Sequence, residues 1–163
     1  MLPGLVSITF RQLSPAQIVE LCAKNKLQAI EWGGDVHVPH GDIATATQVG
    51  RLTRDHGLEV AAYGSYYRLA ASPADGLHFS TVLASAVALE TQAIRVWAGN
   101  RGSADADPSW RNQVAEDALR CADLAAEKGI TICYEFHGGT ITDTLESTCD
   151  LLAATDQIGR AHV

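Results

Sequence analysis

Short apolar runs alternate with longer stretches of helical spacing along the whole chain. Leu5–Phe10 (LVSITF) reads as a buried strand. Ser14-Pro15-Ala16-Gln17 then opens a helix, with Ser14 as N-cap, Pro15 at the first helical position and Gln17 completing a capping box. Ile18, Leu21 and Cys22 share one face of it. Leu27–Trp32 predicts a second strand. Asp42 caps a second helix, with Ala46, Val49 and Leu52 on one side and Gly57 as its stop. Leu58–Tyr63 predicts a third strand, and Phe79, Val82, Leu83, Ala86 and Val87 mark a third helix. Ala93–Ala98 predicts a fourth strand. Asp107-Pro108 opens a fourth helix lined by Val114, Ala118, Ala122 and Ala125 and ended by Gly129. Ile130–Phe136 predicts a fifth strand, and Asp143 to Glu146 has the capping spacing for a fifth helix.

A strand–helix unit repeated in this way implies a parallel sheet with right-handed crossovers. An open doubly wound sheet and a (β/α)8 barrel compete. No glycine-rich phosphate fingerprint follows the first strand, which disfavours the nucleotide-binding open sheets. The expected class is therefore α/β, a parallel (β/α) TIM-barrel type that is incomplete. A full barrel takes about 250 residues, and the 163 residues here hold about five of the eight βα units. The barrel domain is expected over residues 1–157. Ile158–Val163 (IGRAHV) resembles a translated sequencing adapter and is expected to be a non-native tail, with the native end of helix five as the alternative. On the first reading the chain is a truncated fragment.

Composition changes this picture little. The chain is 47% hydrophobic and 19% charged, with 12 basic and 19 acidic residues and a net charge of −7. That balance argues against a nucleic-acid groove, which needs a basic footprint. No apolar run reaches the length of a membrane span. Cys22, Cys121, Cys133 and Cys149 form no C-x-x-C pair and read as buried free thiols, which points to a reducing, cytoplasmic compartment.

Candidate chemistry follows from the strand ends, where parallel α/β sheets bind ligands. The fifth strand stops on Tyr134-Glu135-Phe136-His137-Gly138-Gly139-Thr140. Side chains alternate along a strand, so Ile130, Ile132, Tyr134 and Phe136 should meet the helices, and Thr131, Cys133, Glu135 and His137 should line the other face. Glu31 and Arg95 share that polar face, and as residues of even-numbered strands they could meet as an ion pair. Glu135 is the leading candidate for chemistry. A carboxylate beside an imidazole suits Mn²⁺, Mg²⁺, Co²⁺ or Zn²⁺; the alternative is an exposed loop acid or a stand-in N-cap for helix five. After strand two, Gly33-Gly34-Asp35-Val36-His37-Val38-Pro39-His40 is dense in polar groups. His37 is the better site candidate, and His37 with His40 is a weak metal pair. Trp97 and Tyr66 are candidate pocket walls, because aromatics with polar tips cover C–H faces and still hydrogen-bond. Trp32 reads as core. Arg101 could hold a phosphate or carboxylate.

At Ile30-Glu31-Trp32-Gly33-Gly34-Asp35, Ala62-Tyr63-Gly64-Ser65-Tyr66-Tyr67, Arg95-Val96-Trp97-Ala98-Gly99 and Tyr134–Thr140, the chain resembles the xylose isomerase-like TIM-barrel superfamily, in its sugar phosphate isomerase/epimerase branch. The resemblance runs from about Leu5 to Asp156. It implies a divalent metal at the barrel mouth, held by a Glu after strand five, an Asp after strand six, a His after strand seven and a Glu after strand eight. Only the first maps here, onto Glu135, and the remaining ligands are expected beyond the C-terminus. The implied function is isomerisation or epimerisation of a sugar or sugar phosphate by proton transfer through an enediolate, with Glu135 as catalytic residue and metal ligand. His37, Tyr66, Trp97, His137 and Arg101 would bind substrate. The chain as given is then expected to be inactive alone. A non-catalytic ligand-binding barrel is the alternative, and an AP endonuclease-like repair hydrolase a lesser one. Expected partners are a small sugar or polyol, with no nucleic acid and no membrane. Open strand edges invite a homo-oligomer.

Overall fold

A computed structural model describes residues 2–155; the expected tail at 158–163 lies outside them. Among the described residues five strands form one parallel sheet in the order β1-β2-β3-β4-β5. They alternate with five α-helices, the build of a (β/α) barrel. The chain divides into two compact units, residues 1–66 with 80–94, and residues 67–79 with 95 onward.

In the first unit, β1 (Gly4–Val6) is much shorter than its apolar run, because Ser7–Phe10 coils into a 3-10 turn. Ser7 causes the change. It is fully buried, and its hydroxyl accepts the Gly33 N–H at 2.9 Å, which draws the chain out of the ladder. Helix α1 (Pro15–Lys24) starts with the expected capping box between Ser14 and Gln17. Strand β2 (Ala29–Gly33) follows, then helix α2 (Ile43–Asp55) capped by Asp42. Strand β3 (Glu59–Arg68) runs five residues past the predicted end, straight through Gly64. Its register with β2 slips between Ile30 and Glu31, a bulge that re-aims the side chains beyond it. Helix α3 (Phe79–Leu89) completes the unit and leads into β4 (Ala93–Trp97). Ile18, Val19 and Cys22 of α1, Ile30 and Trp32 of β2, and Ala46 of α2 are all fully buried. Trp32 is thus core, as alternation predicts.

The second unit holds the end of β3, Arg95 to Trp97 of β4, helix α4 (Pro108–Ala126), strand β5 (Thr131–Tyr134) and helix α5 (Leu145–Ala154). Val114, Ala118, Cys121 and Ala125 form the buried face of α4. Four expectations are corrected here. Strand β5 stops at Tyr134, two residues early, because Thr142 Oγ1 donates to the Glu135 carbonyl at 2.6 Å and closes a turn. Phe136, expected to meet the helices, is therefore 62% exposed. Helix α5 is capped by Thr144, whose hydroxyl accepts Ser147 N–H, while Asp143 belongs to the preceding 3-10 turn. Cys149 is exposed, whereas the other three thiols are buried.

Candidate active site

Glu135 stands immediately after β5, part-buried, with its backbone N–H on the Val96 carbonyl at 3.0 Å. One oxygen of its carboxylate receives both the Arg95 guanidinium and the Trp97 indole N–H. Arg95 is mostly buried, and a desolvated guanidinium needs such a counter-charge. Alternation along β4 brings Arg95 and Trp97 to one face two residues apart. That spacing lets one carboxylate take both donors. Alternation alone does not single out Glu135 as the partner.

His137 stacks on Trp97, with ring centroids 4.3 Å apart and planes 25° from parallel. Its Nδ1 lies 2.6 Å from the Gly138 carbonyl. A carbonyl only accepts, so Nδ1 is the donor in this contact and the Nε2 edge is turned away from it. The turn that follows holds the ring in place. Thr140 Oγ1 donates to the His137 carbonyl at 2.7 Å, and the His137 N–H bonds Thr142 O at 3.2 Å. Gly139, at φ +76°, supplies the left-handed residue of that turn. Two residues after Trp97, Gly99 sits at φ +82°, where a Cβ would press 3.1 Å from the Trp110 ring. The left-handed backbone favours glycine there, and the close Trp110 ring adds to that preference.

A cavity of about 170 Å³ opens beside this platform, lined by Arg68, Trp97, Asn100 and His137 with Gly138 and Gly139. Arg68 was not legible as a site residue, because Gly64 ends the predicted strand and hides the alternation that continues to residue 68. Arg101 is placed elsewhere in the unit. Its guanidinium lies 4.4 Å over the Trp110 ring and 4.0 Å from the Asp107 carboxylate.

The first unit holds the other two candidates. Tyr66 has φ +55° within β3, an outlier for a bulky residue and the kind of backbone strain that gathers at functional sites. His37 is buried, and both its ring nitrogens are engaged. Nε2 donates to Leu13 O at 3.2 Å, and Nδ1 accepts from Ser7 Oγ at 2.9 Å. Its hydrogen bonding therefore serves the fold. His40 does not join it in a metal pair but bonds the Tyr63 hydroxyl at 2.7 Å. A groove of about 690 Å³ runs past His37 along α1 and α2, but its one arginine, Arg11, pairs with Asp35.

Burial lowers the His37 pKa below its ordinary value of 6.5. The sign is that of a buried neutral imidazole. Below about pH 6.5 the unfolded chain takes up a proton that the folded chain refuses, so stability falls as pH falls. We expect the thermal midpoint to drop between pH 7 and pH 5, and His37→Gln to flatten that slope. Parallel slopes for the two proteins in calorimetry would remove His37 from the effect.

No three His, Cys, Asp or Glu side chains among the described residues converge where a metal ion could sit. Glu135 is a hard oxygen donor of the kind that magnesium and manganese accept. Its carboxylate, however, already holds Arg95 and Trp97, so the described residues do not compose a metal site by themselves.

Comparison with known proteins settles the family. The model of the xylose isomerase-like TIM barrel matches residues 19–163. The chain belongs to that family. It is 28% identical over 164 residues to a 3-dehydroshikimate dehydratase of Bacillus anthracis, covering 94% of this chain and 57% of that protein. The chain thus spans little more than half the length of that relative. The crystal structure of the probable 3-DHS dehydratase involved in petrobactin synthesis, also from Bacillus anthracis, superposes with a TM-score of 0.81 at 27% identity, over 96% of this chain and 60% of that one. A xylose isomerase-like TIM barrel protein from Mycobacterium smegmatis in complex with magnesium shares the fold, with a TM-score of 0.73 at 12% identity, over 95% of this chain and 61% of that one. Among the described residues no helix is long and apolar enough to cross a membrane.

Proposed function

We propose that the turn bearing Glu135 and His137 is the acid/base part of a lyase site that removes water from a hydroxylated cyclic keto acid of the 3-dehydroshikimate type. The observation that carries this reading is the His137 ring, stacked on Trp97 with Nδ1 turned to the Gly138 carbonyl, two residues from an anchored carboxylate. The likeness at 27–28% identity to a 3-dehydroshikimate dehydratase of Bacillus anthracis, in sequence and in crystal structure, supports this substrate class.

The chemistry needs a base next to a carbon acid. His137 Nε2 takes the proton from a carbon activated by the substrate ketone, and the C–H electron pair moves onto the ketone oxygen as an enolate. When that pair returns, the carbon–oxygen bond of the neighbouring hydroxyl breaks, and the hydroxyl leaves with the proton as water. Stacking on Trp97 fixes the plane of the imidazole, so that its Nε2 edge can be turned toward the C–H, and Glu135 fixes Trp97 through its indole N–H. A divalent cation on Glu135, completed by ligands from outside the described residues, would supply Lewis acidity to the ketone.

Isomerisation or epimerisation of a sugar is the second reading. It begins with the same proton transfer, and the stacked Trp97–His137 pair favours it as a wall for polyol C–H faces. The test supplies a chain of the relatives' full length with 3-dehydroshikimate, and separately with aldose and ketose phosphates, each with Mg²⁺, with Mn²⁺ and with chelator. We expect formation of 3,4-dihydroxybenzoate. Aldose–ketose interconversion without aromatic product would move the assignment to the isomerase, and neither reaction would remove both.

A further inference from the structure

We propose that Arg68 is an anion-recognition residue that takes the carboxylate of the substrate in the small cavity beside Trp97 and His137. The inference rests on the lyase reading for its substrate and on separate observations for its site. Arg68 is exposed, and its guanidinium lies 4.9 Å from the Trp97 ring centre. Every other described arginine has a side-chain partner. Arg11, Arg51, Arg54, Arg95, Arg101 and Arg120 each meet a carboxylate. Arg111 bonds Ser147 Oγ and the Ser103 and Ala106 carbonyls. Among the described residues, no carboxylate or carbonyl engages the Arg68 side chain. In a chain of net charge −7, a cation left open at a cavity is worth explaining.

The backbone around Arg68 is held on both sides. Its own N–H bonds the buried Ser72 hydroxyl at 2.8 Å. Leu69 N–H bonds Trp97 O at 3.0 Å. Asp117 of α4 accepts the Tyr67 hydroxyl at 3.3 Å and the Ala70 N–H at 2.8 Å, and Ala70 sits at φ +61°. Arg120 steadies that carboxylate at 2.7 Å. Four hydrogen bonds across residues 67–70 therefore point one long side chain onto the indole that carries His137. Stacking on an aromatic face limits the guanidinium's freedom and leaves its N–H edge for a planar, two-oxygen acceptor. A cavity of about 170 Å³ is smaller than the roughly 300 Å³ at which whole-ligand pockets begin. It suits one substituent of a substrate, not the entire molecule.

The test is equilibrium binding to the 163-residue chain, with tryptophan fluorescence as readout and four probes: 3,4-dihydroxybenzoate, catechol, acetate and inorganic phosphate. The wild type should bind 3,4-dihydroxybenzoate about tenfold or more tightly than catechol. Arg68→Ala should erase that difference, and Arg68→Lys should restore part of it. Circular dichroism establishes that each variant is folded. Equal preference for 3,4-dihydroxybenzoate in the wild type and Arg68→Ala overturns the inference and leaves the lyase reading standing. If acetate and phosphate need Arg68 as much as the aromatic acid does, the anion site stands and the lyase reading loses this support. Binding of phosphate alone through Arg68 overturns the carboxylate assignment in favour of a phosphorylated substrate.

Discussion

Trp32→Ala is expected to cost about 3–5 kcal/mol of folding stability, the largest loss that any single side chain among the described residues should give. Trp32 is fully buried between α2 and the face of β2, and its indole N–H donates to Thr53 Oγ1 at 3.1 Å. Thr53 is itself fully buried and donates to the Val49 carbonyl at 2.8 Å. Truncation removes the apolar volume and also leaves the threonine oxygen without its donor. Phenylalanine keeps most of the volume and loses the hydrogen bond, so Trp32→Phe should cost about 1–2 kcal/mol. Denaturant titration of the three proteins reads both terms. A loss of under about 1 kcal/mol for the alanine variant would mean that the pocket collapses around the gap.

The same residue shows why so much of the fold was legible beforehand. Helix starts are written locally: Ser14, Asp42 and Asp107 each cap the helix they announce, through side-chain oxygens that reach a backbone N–H three residues on. Strand existence is written in apolar runs, and all five runs became strands of the sheet. Strand ends are written elsewhere. Ser7 ends β1 through a bond to Gly33, and Thr142 ends β5 through a bond to Glu135. Gly33 lies 26 residues from Ser7, beyond any local window. Thr142 lies seven residues past Glu135, across two glycines that give no sign of which residue closes the turn. Gly64 misled in the other direction, because a glycine is a turn signal on its own and an ordinary ladder residue when paired with Gly33.

The site divides along the same line. Glu135 and His137 stand out from their own neighbours, as a carboxylate and an imidazole where an apolar strand stops. Arg68 does not, since its meaning comes from Trp97 beneath it and from Asp117 behind it. Arg101 looked equally available in the sequence, yet the structure sets it against Asp107 and Trp110. A loop arginine is assigned by what its guanidinium meets, which composition cannot say.

Glu135→Gln carries the largest expected effect on activity. The glutamine keeps the shape and loses the charge that faces Arg95, whose side chain is 14% exposed. Trp97 then loses a charge-assisted partner, and the platform under His137 loosens. Removing a preorganised electrostatic group of this kind costs about 10³-fold in turnover, or roughly 4 kcal/mol of transition-state stabilisation. The Glu135 side chain is itself 30% exposed, so the folding penalty should be smaller, about 1–3 kcal/mol, and the variant should fold. The decisive measurement is the steady-state rate of 3-dehydroshikimate dehydration by a chain of the relatives' full length, wild type against Glu135→Gln, at saturating substrate. The proposed function predicts a fall in kcat of about 10³-fold with KM changed by less than about threefold. A kcat within about threefold of wild type would place the chemistry away from the β5 strand end.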